Sequence, residues 1–273
     1  MKYTFHVPTQ QYGYLEISGE ETDLPQMEQA YNRYAETPIN FKKGNFVTLE
    51  SFTGETVLYD ELNHEYKDGH GNPLIGGSTY AKQFEKPFNA EQILPVCAKA
   101  WNVSEKEIKD IWDKNAKVST SFGESIHTAI ESYHLYHKQG KQIKDNKKDQ
   151  ATNYALPKNG LLRKAVESFV KEFGADAMPE VLVSDVKNGR VGQIDLLKII
   201  KDKVCRVQDI KTSVMDKDKM KVYQRQLSYY AHILMAHGYT VEGLDIFGYE
   251  GEWKHTKLEV LDIKENKWWV ITR

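Results

Sequence analysis

The chain has 273 residues, 40% of them apolar and 28% charged, with a formal net charge of −2. That suits one large domain, or one domain with an extension, and argues against coating nucleic acid through bulk charge, although a local basic groove stays open. Two distant cysteines, Cys97 and Cys205, with no CxxC or Cys/His cluster, exclude a thiolate-held zinc or iron–sulfur site and a disulfide framework. No apolar run is long enough to span a bilayer. The opening MKYTFHVPTQQYGY lacks the basic-then-apolar pattern of a secretory signal, so a cytoplasmic protein with no membrane contact is expected.

Taken in order, FVTLESFTGETVLYDE predicts short strands turning at Thr53-Gly54. Gly71-Asn72-Pro73 and Gly76-Gly77 mark further turns. Helices are expected over residues 90–101 and 104–115, the second opened by a capping box of Ser104 and Glu107. A separate helix over residues 121–140 has Ser121 as its N-cap and Glu124 completing the box. Phe122, Ile126, Ile130 and Tyr133 recur at helical spacing as a buried stripe. His127 and Glu131, four apart, stack beside it. Residues 138–159, rich in Lys, Gln, Asn and Asp, read as a long exposed loop; contact of that loop with DNA is left open. A helix over residues 160–173 follows.

The centre of the chain is PEVLVSDVKNGRVGQIDLLKIIKDKVCRVQDIKT. Asn188-Gly189 and Lys201-Asp202-Lys203 are turn signals, and the stretch predicts a three-stranded antiparallel meander. An amphipathic helix over residues 217–237 follows, with Asp216 as N-cap and Gly238 as its stop. Strands are expected over residues 239–249 and 255–263, and KWWVITR is a candidate for a last strand.

Centring the second turn on Asp202 places Asp195 opposite Asp209, Leu197 opposite Val207 and Ile199 opposite Cys205 on one face, with Ile200 opposite Val204 on the other. Directly opposed residues have Cβ atoms ~4.5–5.5 Å apart. Two opposed carboxylates repel, and a divalent cation resolves the repulsion. Lys211, two residues past Asp209, projects from the same face. A carboxylate pair with an adjacent ammonium suits phosphodiester hydrolysis: bound metal generates the nucleophilic water, and the lysine orients it or stabilises developing charge. A D-x-K tripeptide alone is more often a solvated ion pair; the opposed Asp195 is what shifts that balance. Turning the first hairpin at Asn188-Gly189 places Leu182 opposite Asp195, with Glu180 on the same face as a further carboxylate.

The ordered set GESIHTAIE, GQID, DIKT and QLSYY resembles the RecB-type branch of the PD-(D/E)XK nuclease superfamily, in its phage-encoded, exonuclease-like form. The pattern G-x-x-x-H-x-x-x-E, G-x-x-D, D/E-x-K and Q-x-x-x-Y is met by Gly123, His127 and Glu131, then Gly192 and Asp195, then Asp209 and Lys211, then Gln226 and Tyr230. Each motif is weak alone; four in order are specific, and they cover residues 123–249. The resemblance implies His127, Asp195, Asp209 and the backbone carbonyl of Ile210 as metal ligands and Lys211 as the catalytic lysine. It implies Glu131 as a partner of His127 or of metal-bound water, and Gln226 and Tyr230 as residues lining the site and contacting the DNA backbone. The cysteines of iron–sulfur relatives and the helicase motif GxxxxGK[ST] are both lacking.

The expected fold is α/β (α+β): a restriction-endonuclease-like core of αβββαβ order, a mixed sheet flanked by helices, at residues 119–273. Residues 1–118 form an N-terminal extension packed on it. The expected function is a Mg²⁺- or Mn²⁺-dependent deoxyribonuclease, an exonuclease in phage DNA recombination or processing that works with DNA and, in that context, a recombination or single-strand-binding protein. Oligomeric state stays open. The alternatives are a structure-selective endonuclease, an inactive DNA-binding homologue, and a structural protein whose aspartates pair with surface lysines.

Overall fold

The computed structural model describes residues 2–9, 13–20, 46–60, 65–85, 88–140, 157, 159–213 and 216–262. Strands β1 (Lys2–Thr9) and β2 (Gly13–Glu20) pair as a hairpin in a sheet of their own. Then come β3 (Phe46–Glu50), β4 (Thr56–Asp60), β5 (Glu65–Lys67), β6 (Pro73–Gly76) and the helices α1 (Gly77–Lys82), α2 (Ala90–Trp101), α3 (Glu105–Gly140) and α4 (Gly160–Phe173). The remainder is β7 (Met178–Asp185), β8 (Arg190–Lys201), β9 (Val204–Lys211), α5 (Lys217–Ala236), β10 (Thr240–Tyr249) and β11 (Trp253–Leu258). The expected tail strand and residues 141–156 of the Lys-rich segment lie outside the described residues.

Strands β3 to β11 make one mixed nine-stranded sheet with helices packed against it, the restriction-endonuclease-like α/β arrangement that the motifs led us to expect. β7, β8 and β9 are the antiparallel meander, and β10 joins β9 in parallel after the α5 crossover. Strands β3 to β6 enter the same sheet, because β6 runs parallel to the start of β8 through Ile75↔Arg190 and Gly76↔Val191. The division expected between residues 118 and 119 falls inside α3.

Two apolar clusters hold the helices to the sheet. Leu227, Tyr229, Ile233 and Leu234 of α5 pack with Leu197, Val207 and Ile246. Ile126 and Ile130 of α3 and Phe169 of α4 pack with Leu196, Ile210 and Phe247. All thirteen side chains are almost fully buried, and each large one contributes about 1.5–3 kcal/mol. Phe122 departs from the expected stripe: it is 38% exposed, with its ring tilted against Tyr249 at 6.1 Å between centroids.

Several local expectations need correction. The helices expected at 104–115 and 121–140 are one 36-residue helix. The Ser104–Glu107 capping box does open it, with Glu107 N–H donating to Ser104 Oγ at 3.2 Å and Ser104 N–H to Glu107 Oε2 at 2.8 Å. Ser121 is no N-cap, because no proline breaks the intervening turns and Ser125 folds its hydroxyl back onto the Ser121 carbonyl at 2.7 Å. Gly76 and Gly77 start α1 rather than forming a free turn. Residues 138–140 of the expected loop belong to α3.

The first meander turn is a four-residue loop. A 3₁₀ turn at Val186–Asn188 is closed by Gly189 at φ 66°, and the Asp185 carboxylate accepts from the Asn188 side chain at 2.7 Å. The ladder therefore runs through Asp185↔Arg190 and Leu182↔Gln193, displaced by two from expectation. The side-chain period is two, so Glu180 keeps its face. The second register is as expected for Leu197↔Val207 and Ile199↔Cys205. An irregularity then follows, Lys201 instead of Ile200 pairs with Val204, and Lys203 takes φ 52° in the turn.

Candidate active site

The site forms where β8 and β9 part. Their ladder ends at Leu196↔Gln208, one step before Asp195 and Asp209 would meet. β6 occupies the same edge of β8 only from Arg190 to Val191. Into the gap between those two neighbours the Asp195 side chain projects, and its Oδ2 accepts from the Ile210 backbone N–H at 2.8 Å. A carboxylate thus stands in for a missing strand partner.

α3 reaches this gap because Gly123 lies against Thr212 at the end of β9. A Cβ at position 123 would come within 2.8 Å of the Thr212 hydroxyl. That close approach brings His127 Nδ1 to 3.4 Å from Asp195 Oδ2. His127, Glu180 and Asp195 each offer one ligand atom, all within 4.8 Å of one another. His127 and Glu180 border a cleft of about 900 Å³ that is also lined by Glu131, Thr128, Ser213 and Lys219. The ion partner of His127 is Asp195 rather than Glu131.

Glu180 takes φ 50°, a left-handed conformation uncommon for a residue with a Cβ. Its two neighbours stay in register with β8, as Pro179↔Leu196 and Val181↔Ile194. Strain of about 1–3 kcal/mol held in place this way is characteristic of functional positions. Gln193 donates to Glu180 Oε2 at 2.6 Å. Burial, and then the charges of Asp195 and Glu131, push the Glu180 carboxyl up to about 7.

Lys211 leaves β9 beside Asp209. Its Nζ donates to Asp209 Oδ1 at 2.8 Å. Asp209 Oδ2 lies 2.7 Å from the same nitrogen but off hydrogen-bond geometry, so this buried oxygen has no hydrogen-bond partner. Burial pushes the Asp209 carboxyl well above the carboxylate range, Lys211 opposes the shift, and Asp195 adds to it. For Lys211, burial alone would favour the neutral amine. The Asp209 and Asp195 charges outweigh it and keep the ammonium above its ordinary value.

Gln226 Nε2 donates to the Tyr230 hydroxyl at 2.9 Å. The Tyr230 ring is only 4% exposed and fills the space between Gly77 and Gly192, where a Cβ at either glycine would overlap it. The glycine of the G-x-x-D motif thus serves ring packing. Gln226, half-buried, is the member of the pair nearer the solvent. Sequence reasoning missed Tyr223, whose ring centroid lies 5.0 Å from Lys211 Nζ. The signal was there: 223, 226 and 230 share one helix face.

These residues fit a hard divalent cation. Such ions take carboxylate and carbonyl oxygens, and imidazole is accepted by the transition members. Here carboxylates crowd together with one orphaned buried oxygen and an adjacent imidazole.

A mixed sheet that parts beside two acids and a lysine is the layout of a metal-dependent hydrolase site. The family model of the PD-(D/E)XK nuclease superfamily matches residues 94–260, more than half of the chain, and the chain belongs to that superfamily. Membership carries nuclease activity with divalent metal and a DNA substrate. No curated protein and no solved structure matches the chain. Among the described residues no helix is long and apolar enough to cross a membrane.

Proposed function

We propose that the chain is a Mg²⁺- or Mn²⁺-dependent deoxyribonuclease of the RecB type, acting as an exonuclease in phage DNA recombination or processing in the host cytoplasm. The observation that carries this reading is the convergence of His127, Asp195 and Glu180 beside the Asp209–Lys211 pair. His127, Asp195, Asp209 and the Ile210 carbonyl would hold the cation, with Glu180 as an added carboxylate. A divalent metal bound there would activate water for attack and polarise the phosphoryl group.

The chain's own groups do the rest. Lys211 sets its ammonium beside the acids, where it orients the attacking water and neutralises charge building on the phosphoryl oxygens. Asp195 is held in place by the Ile210 N–H, which donates to its Oδ2. Glu131, on the cleft wall, would accept from water held at the site. Gln226 contacts the DNA backbone while Tyr230 fixes its orientation. Retention of His127, Asp195, Asp209 and Lys211 together argues against an inactive DNA-binding homologue.

The test is cleavage of linear duplex, covalently closed circular and single-stranded DNA, with and without Mg²⁺, by the wild type and Lys211→Ala. Loss of linear DNA alone, abolished in the variant, is the expected result. Nicking of closed circles would make the protein an endonuclease. Undiminished cleavage by Lys211→Ala would remove that residue from the chemistry.

A further inference from the structure

We infer that Tyr223 is the positioning residue for Lys211, and that the face of its ring holds the ammonium when the carboxylates are engaged elsewhere. The inference rests on Lys211 acting in the reaction, as proposed above. Lys211 Nζ touches the Asp209 carboxylate at 2.7–2.8 Å and lies 5.0 Å from the centre of the Tyr223 ring, with the Asp195 charge adding to the attraction of the first. The first is not exclusive. Asp209 is one of the two acids that would take the cation, and a cation there repels an ammonium.

The ring is different in kind. It is neutral and offers its electron-rich face, and a hard metal does not compete for it. Its position is also fixed independently of the lysine. Tyr223 packs against the apolar cluster around Leu227 and Val207. Its hydroxyl shares a 2.8 Å hydrogen bond with Ser213, two residues beyond Lys211 on the same segment. The side chain therefore makes two separable contacts. The hydroxyl ties the end of β9, and the ring carries the ammonium. Lys211 is only 19% exposed, so water offers it little alternative solvation.

The experiment separates these contacts from each other and from general packing. Tyr223→Phe keeps the ring and removes the hydroxyl; it should retain kcat within a few-fold. Tyr223→Leu removes both, and kcat should fall roughly tenfold with KM unchanged. Phenylalanine carrying one, two and three ring fluorines at position 223 weakens the ring face without changing its shape, and kcat should fall stepwise along that series.

A second readout needs neither metal nor turnover. In the metal-free protein, the ε-methylene protons of Lys211 should be shifted upfield by the ring and return to the ordinary lysine position in Tyr223→Leu. If that variant does not fold, the isosteric fluorinated series decides the matter. Wild-type kcat in Tyr223→Leu, equal losses in the Phe and Leu variants, a flat fluorine series, a loss confined to KM, or an unshifted Lys211 resonance would each overturn the inference. Full activity of Lys211→Ala would instead overturn the underlying catalytic reading, so the two failures are distinguishable.

Discussion

Asp209 and Asp245 are both 2% exposed and sit in neighbouring paired strands, yet their surroundings are opposite. Asp245 is saturated with donors: Arg206 binds it through two nitrogens at 2.7 and 2.9 Å, Gln208 at 3.2 Å and His255 at 2.8 Å. Burial alone would raise its carboxyl, but Arg206, His255 and Gln208 outweigh burial and hold it below its ordinary value. Asp209 shares a single lysine with nearby Asp195, keeps an oxygen without a hydrogen bond, and is raised. Because Asp245 pairs with Gln208, and Asp209 is the next residue of β9, the two carboxylates lie on opposite faces of the sheet. One face neutralises its buried charge with protein groups and is finished. The other leaves a negative surplus, which is the electrostatic form of a cation site.

The contrast can be broken in order of expected size. Asp245→Ala should be the most destabilising change, by about 3 kcal/mol or more, because it strands the Arg206 guanidinium against the sheet. Chemical denaturation measures this, and activity per folded molecule should be nearly unchanged. Lys211→Ala should act first on the chemistry. Its kcat should fall on the order of a hundredfold, or about 2.7 kcal/mol of barrier, and the metal-free protein should also melt lower, because Asp209 loses the lysine that hydrogen-bonds it. Single-turnover cleavage beside a thermal melt reports both.

Glu180→Gln removes one member of the surplus. Calorimetry with Mn²⁺ should show affinity reduced by roughly tenfold, about 1.4 kcal/mol. Unchanged affinity would place Glu180 outside the metal shell.

The smallest effect is in the pH dependence, where the two carboxylates should pull in opposite directions. Glu180 is raised from its ordinary 4.5 to about 7, so its contribution to metal-free stability is present below about pH 4.5 and lost as pH rises through about 7. Asp245 is lowered, so its contribution is present above the ordinary 3.8 and lost as pH falls through its depressed value. Melts in chelator across this range should show the upper slope in the wild type and a flatter one in Glu180→Gln. A wild type with no slope between about pH 4.5 and about 7 would mean that Glu180 is solvated.

Much of this was legible in the sequence because it depends on period and order. Strand parity alone puts Asp195, Asp209 and Lys211 in one neighbourhood, and the i, i+4 spacing sets Gln226 against Tyr230. Helices α2 and α4, the Asp216 cap of α5 and the Leu197↔Val207 register follow from local signals alone. Parity even survived an error, since a loop longer by two residues left Glu180 on its face. Turn length itself was misread, because Asn188-Gly189 also closes a 3₁₀ turn and nothing local separates the two uses. The continuity of α3 was missed for a related reason: a serine followed three residues later by glutamate is an N-cap only if the preceding turn is already unwound.

What the sequence determined by itself was therefore which residue types recur at which spacing, and with that the chemistry on offer. Tertiary structure alone decided four things: the parting of β8 and β9 that turns Asp195 toward the Ile210 N–H, the left-handed backbone that carries Glu180, the entry of β6 beside β8, and the Tyr223 ring beside Lys211. Each depends on groups far apart in the chain meeting at fixed distance. Local propensity carries no record of such a meeting; only the packing of helix against sheet creates it.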